Sequence, residues 1–143
     1  MLYVKDIAAR GVKTIPVSAN IKEAAVAMTN SNVGCLVVTE DGRPVGIITE
    51  GDVSRAVGRG LPPDKTAIKS LLFKPLITVT PDLRVEEAAK LMANANVKKL
   101  PVMEEGRLVG IITQTDIVAS SFDLVTALKE MVRARYRPPD FQP

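Results

Sequence analysis

The stretch Val45-Gly46-Ile47-Ile48-Thr49-Glu50-Gly51-Asp52 returns 64 residues later as Val109-Gly110-Ile111-Ile112-Thr113-Gln114-Thr115-Asp116. The same shift carries Glu23-Ala24-Ala25 onto Glu87-Ala88-Ala89 and Gly42-Arg43 onto Gly106-Arg107. From Val4 to Ser54 it needs no gap and matches 20 of 51 positions. A fixed period of this kind means that two copies of one supersecondary unit make up most of the chain. Between them lies Gly58-Arg59-Gly60-Leu61-Pro62-Pro63, which favours turn and extension. The division that follows is 1–58 for the first unit, 59–66 for the linker and 67–119 for the second unit. Residues 120–143 form a C-terminal helix and a proline-rich tail.

Each copy reads the same way locally. Ile21, Ala24, Ala25 and Met28 follow the i, i+3, i+4, i+7 spacing of a helix buried on one face, and Val85, Ala88, Ala89 and Met92 repeat it. Asn30-Ser31-Asn32 and Asn94-Ala95-Asn96 suit helix exits, because Asn tolerates left-handed backbone. β-rich runs follow, Val33 to Thr39 and Val97 to Met103. Glu40-Asp41-Gly42-Arg43 and Glu104-Glu105-Gly106-Arg107 then make hairpin turns into second strands ending at Thr49 and Thr113. A further helix begins after each Thr. The unit is strand, helix, strand, strand, helix.

Composition narrows the function. The 143 residues contain no histidine and one cysteine, Cys35. Zinc-hydrolase sites, Ser-His-Asp and Cys-His arrangements, internal disulfides and thiolate metal clusters are therefore excluded. No metal site and no catalytic residues are expected, and the chain reads as a binding protein rather than an enzyme. No run of about 18 apolar residues is present to span a membrane. The N-terminus lacks a secretion-signal layout, which gives a cytoplasmic expectation. The formal charge of +3 is a mild bias. The aromatics (Tyr3, Phe73, Phe122, Tyr136, Phe141) do not interleave with basic runs, so nucleic acid is not the expected partner and a small anion suits the charge as well.

The repeated Gly-Ile-Ile-Thr-x-x-Asp, the Glu-Ala-Ala helices upstream and Val97-Lys98-Lys99-Leu100-Pro101-Val102 entering a strand resemble the CBS domain. From about Val4 to Ala119 the chain is similar to a stand-alone tandem CBS pair, or Bateman module. That resemblance implies an α/β fold of two pseudo-twofold-related repeats packed sheet to sheet, and a homodimer through helix faces.

Thr49-x-x-Asp52 and Thr113-x-x-Asp116 each match a helix capping box. The same geometry also serves a ligand. A strand turning into a helix presents backbone N–H groups to an anion, and a carboxylate accepts from the vicinal hydroxyls of a ribose. In the family this Asp holds the ribose, and each cleft is built from both repeats. Carried over, Thr49 and Asp52 would share a cleft with Thr78, Val79, Thr80, Lys98 and Lys99. Thr113 and Asp116 would share the other with Thr14, Ile15, Pro16, Gly34 and Cys35. Lys98 and Lys99 occupy positions where family members often carry phosphate-binding cations, and Arg55, one turn beyond Asp52, divides between phosphate contact and plain surface.

The resemblance implies a regulatory module that senses an adenine nucleotide, AMP or ATP, and acts on a separate partner protein. The nucleotide is a ligand, and no cofactor is expected. The alternatives are a structural dimer with vestigial clefts, and a module for S-adenosylmethionine or nucleic acid. Beyond the repeat, Ser120 or Ser121 can cap a helix carrying Val125, Leu128 and Val132. Lys129, Arg133, Arg135 and Arg137 load its end before Pro138-Pro139, which reads equally as cover for the core or as a dimer clasp.

Overall fold

The computed structural model describes residues 1–120 and 129–133. The chain runs from one helical turn, α1 (Val4–Ile7), into β1 (Thr14–Pro16) and α2 (Ile21–Ser31). The hairpin β2 (Cys35–Glu40) and β3 (Arg43–Thr49) follows, and then α3 (Glu50–Gly58). A 3₁₀ turn, Ile68–Leu71, stands in the second unit where α1 stands in the first. After it come α4 (Val85–Ala95), the hairpin β4 (Lys99–Glu104) and β5 (Arg107–Thr113), and α5 (Gln114–Ala119). The architecture is α/β and duplicated, as the repeat predicts.

Local chemistry accounts for the elements. Ile21, Ala24 and Met28 bury one stripe of α2, and Val85, Ala88 and Met92 bury the matching stripe of α4. Asn32 and Asn96 end these helices in left-handed backbone, at φ 51° and 53°. Asp41-Gly42 and Glu105-Gly106 take positive φ at both central turn positions, the geometry that matches strand twist in a two-residue hairpin.

The N-terminal segments of the two units are exchanged. Val4 is wholly buried, yet its neighbours are Val79, Ala88, Met92, Leu100, Val102 and Ile112 of the second unit. Its repeat equivalent, Ile68, is wholly buried in the first unit against Ile15, Ile21, Met28, Leu36 and Ile48. Backbone bonds pin both crossings. Val4 N–H donates to Leu83 O (2.8 Å) and Lys5 N–H to Pro81 O (2.9 Å), while Ile68 N–H donates to Ala19 O (3.0 Å) and Ile21 N–H to Thr66 O (3.0 Å). Each core is therefore closed by a residue from the other unit's leading segment.

The two units differ at their first strand. In the first, β1 pairs in parallel with β2 over three residues, and Val37 N–H to Lys13 O (3.0 Å) and Val17 N–H to Thr39 O (2.8 Å) flank that register. In the second unit Pro101 stands where Val37 stands, and Pro81 where Val17 stands. Neither has an N–H to donate. Only the central rungs remain, Val79 N–H to Pro101 O (3.0 Å) and Met103 N–H to Val79 O (2.8 Å), so the expected strand is reduced to a single bridge between Val79 and Val102.

At the C-terminus, Ser120 caps the end of α5, its hydroxyl donating to Ile117 O (2.6 Å). Residues 129–133 are helical, with Met131 and Val132 more than half exposed. Ser121, Val125, Leu128, Arg135, Arg137 and Pro138-Pro139 lie outside the described residues, as does most of the expected tail.

Gly46 and Gly110 show how closely the crossing segments pass. A Cβ at Gly110 would stand 2.7 Å from the Ala9 carbonyl oxygen, backbone fixed by two bonds to Ile111. One at Gly46 would stand 2.8 Å from Leu72 Cδ2, the end of a side chain that can turn aside. Gly110→Ala is therefore expected to destabilise the fold by about 1–3 kcal/mol, and Gly46→Ala by clearly less. Equal shifts in melting temperature would refute this account of the crossing.

Candidate ligand-binding site

Both Thr-x-x-Asp motifs cap helices. Thr49 N–H donates to Asp52 Oδ2 (2.8 Å), and Asp52 N–H donates back to Thr49 Oγ1 (3.3 Å). Thr113 and Asp116 make the same reciprocal pair at 2.9 and 3.1 Å. Strand ends and helix starts of one unit are also tied together: Glu50 N–H donates to Gly34 O (3.1 Å), and Gln114 N–H to Lys98 O (2.8 Å). Each capping box thus faces the opening of its own unit's central strand.

One cavity of about 820 Å³ opens between the units, within the range of small-molecule sites. Thr49, Asp52, Lys98 and Lys99 all line it. Gly34 lines it too, because its carbonyl is bound to the start of α3; the resemblance had assigned it to the Asp116 cleft. Thr78, Val79 and Thr80 are not on this wall. Val79 is buried in the second core, and Leu76 and Ile77 take the cavity face instead. Thr113, Asp116, Thr14, Ile15, Pro16 and Cys35 also lie off this wall. Ile15 belongs to the first core, and Thr14 and Pro16 are exposed.

The segment Leu71–Ile77 is the largest part of the wall that sequence reasoning missed. Its equivalent in the first unit is zipped to a strand edge: Ala9 N–H donates to Ile111 O (2.9 Å) and Ile111 N–H to Ala9 O (3.0 Å). Phe73 stands where Ala9 stands, and no bridge joins it to Ile47 among the described residues. The missing zipper leaves the cavity open on the Asp52 side.

The wall carries Arg55, Arg59, Lys74, Lys98 and Lys99 against two carboxylates, Glu50 and Asp52. Lys74 Nζ donates to Asn96 O (3.0 Å), which ties the missed segment to the end of α4. Asp52 is half-buried. Besides its cap it accepts from Arg55 Nη2 at Oδ1 (2.8 Å). No cluster of three potential metal-ligating side chains occurs among the described residues, and no helix there is long and apolar enough to cross a membrane.

The CBS-domain family model matches the chain twice, at residues 4–59 and 68–123. The chain belongs to the CBS-domain family. Both matches begin at the exchanged residues, Val4 and Ile68. An uncharacterised protein of Methanopyrus kandleri is 35% identical over 133 residues, covering 91% of this chain and 68% of its own length. The CBS domain-containing protein YhcV of Bacillus subtilis is 31% identical, with 84% and 86% covered. Among solved structures, the CBS domain protein PAE2072 of Pyrobaculum aerophilum, complexed with AMP, is 26% identical with a TM-score of 0.76, over 90% of this chain and 99% of that one. The CBS domain pair of protein MJ0100, in complex with 5′-methylthioadenosine and S-adenosyl-L-methionine, is 28% identical with a TM-score of 0.75, over 90% and 98%.

In this CBS pair, Cys35 and Lys99 are repeat equivalents, and Lys99 lies near enough for its charge to act on the Cys35 thiol. Burial pushes the Cys35 thiol above its ordinary pKa; the Lys99 ammonium pulls it down by less, and the Glu50 carboxylate adds to the rise. The thiol is thus neutral at pH 7, and alkylation by iodoacetamide is expected to be slow and to accelerate with rising pH. Lys99→Ala removes the one lowering influence and should slow alkylation further at fixed pH. Faster alkylation of that variant in a folded protein would contradict the juxtaposition.

Proposed function

We propose that the cavity binds an adenosine nucleotide, AMP or ATP, and that the protein is a non-catalytic regulatory module acting on a separate protein. One observation carries the reading: a single cavity holds a ribose-competent carboxylate, Asp52, among five cationic side chains. An ionised carboxylate is acceptor-only and suits a vicinal diol, while lysine and arginine suit phosphate oxygens. PAE2072, of the same fold, carries AMP. MJ0100 carries sulfonium and thioether adenosyl ligands. An excess of cations favours the phosphorylated ligand over a cationic sulfonium. On this reading Asp52, Thr49, Lys98 and Lys99 hold the nucleotide. Asp116 and Thr113 serve a second, separate contact or only their helix. Val26, Val57 and Leu91, exposed on α2, α3 and α4, support a homodimer through helix faces. The lone thiol of Cys35 is consistent with a reducing cytoplasm.

Calorimetric titration tests the reading. AMP or ATP should bind, and ligand at 100 times its Kd should stabilise the fold by about 2.7 kcal/mol. Asp52→Ala should weaken AMP roughly 10- to 150-fold, the worth of a charged hydrogen bond, whereas Asp116→Ala should leave this cavity's affinity unchanged. Lys98→Ala should weaken AMP and flatten its salt dependence. Unchanged AMP affinity in folded Asp52→Ala would leave the capping box as that residue's whole role.

A further inference from the structure

The two capping boxes are alike in their backbone bonds and unlike in their second carboxylate oxygen. Asp116 Oδ1 has no partner among the described residues, and Ala119 stands one turn beyond it. Asp52 Oδ1 is held by Arg55 Nη2 at 2.8 Å. Gly51 makes room for that pose: a Cβ there would stand 3.1 Å from Arg55 Nη1, and the equivalent residue in the second unit is Thr115. The guanidinium is thus folded back across a glycine onto the oxygen that the cap leaves free. Arg55 is itself 63% exposed and lines the cavity, so its side chain is not held in either core.

We propose that Arg55 is a displaceable counter-ion of Asp52, which makes the cavity select phosphorylated over unphosphorylated nucleosides. The inference rests on the nucleotide reading above. Oδ2 already takes two donors from Thr49, so both hydroxyls of a sugar diol fall to Oδ1, and the pair can bond there only if the guanidinium leaves. A nucleotide brings a phosphate that re-pairs the released guanidinium, so charge pairing is exchanged rather than lost. Adenosine brings no anion, and Arg55 returns unpaired to water. The pair therefore opposes nucleosides and is neutral or favourable toward nucleotides. Lys98 and Lys99 cannot have this effect, since neither is bonded to the aspartate.

The test compares AMP with adenosine on wild type and Arg55→Ala by calorimetry, with a melting curve on each. Arg55 is exposed, so the variant is expected to fold. Removing a surface ion pair should tighten adenosine about two- to fivefold, while loss of the phosphate partner should weaken AMP roughly tenfold or more. The opposite signs are the signature. A variant in which AMP weakens while adenosine stays unchanged or weakens with it overturns the exchange and leaves Arg55 an ordinary phosphate contact. Unchanged AMP affinity overturns it as well. Failure of wild type to bind either compound is the separate result that removes the nucleotide reading and the inference with it.

Discussion

The structure depends on the reciprocal crossing of Val4 and Ile68. Each is fully buried in the core of the other unit. A unit of about 60 residues buries too little surface to be comfortably stable alone. Here neither core is complete without a residue from the other unit's leading segment. Truncating such a residue would remove its transfer energy and leave a cavity, typically 2–5 kcal/mol. The crossing also explains the glycine at 110, because the Ala9 backbone passes over it too closely for a side chain, whereas over Gly46 the crossing segment presents only the yielding end of Leu72.

Duplication would give two equal clefts if the units were equal. Pro81 and Pro101 break that equality. Two absent N–H groups remove the outer rungs that hold the first strand in the other unit. The chain ahead of Val79 then follows a different path, and Leu76, Ile77 and Phe73 line the open cavity rather than a ladder. Charge is unequal in the same direction. Lys98 and Lys99 stand where the first unit has Gly34 and Cys35, so cations gather on the side that is open.

Much of this was legible in the sequence. The 64-residue repeat, the helix stripes, the Asn exits and both capping boxes follow from local pattern, and each forms where the pattern puts it. Of the residues expected to share the Asp52 cleft, Thr49, Asp52, Lys98 and Lys99 line one cavity, and Thr78, Val79 and Thr80 do not. The exchange of leading segments was not legible, because Val4 and Ile68 carry no mark that says which core they enter. The place of Gly34 on this wall was not legible for a related reason: its partner is set by a backbone bond to Glu50 that residue type does not encode. The prolines did carry a readable signal for the 71–77 wall. Aligning Pro81 with Val17 and Pro101 with Val37 removes two donors from a parallel ladder.

The capping role of Asp52 and its proposed ligand role use different atoms. Oδ2 is occupied by the Thr49 N–H and hydroxyl, at 2.8 and 3.0 Å, which fixes the carboxylate plane at the helix start. Oδ1 takes no part in the cap, and its one partner is the exposed Arg55 guanidinium at 2.8 Å. A carboxylate held by one oxygen presents the other in a defined direction, so the cap orients the group rather than consuming it. The wall opposite comes from the other unit, at Lys98 and Lys99. A molecule touching both sides therefore bridges two units that the crossing segments already hold together. Such a ligand can bias a partner only through the difference in its affinity for two states of the pair. With Val4 and Ile68 locking the cores, what the proposed nucleotide would change first is the charge of the cavity mouth, where Arg55, Arg59, Lys74, Lys98 and Lys99 gather.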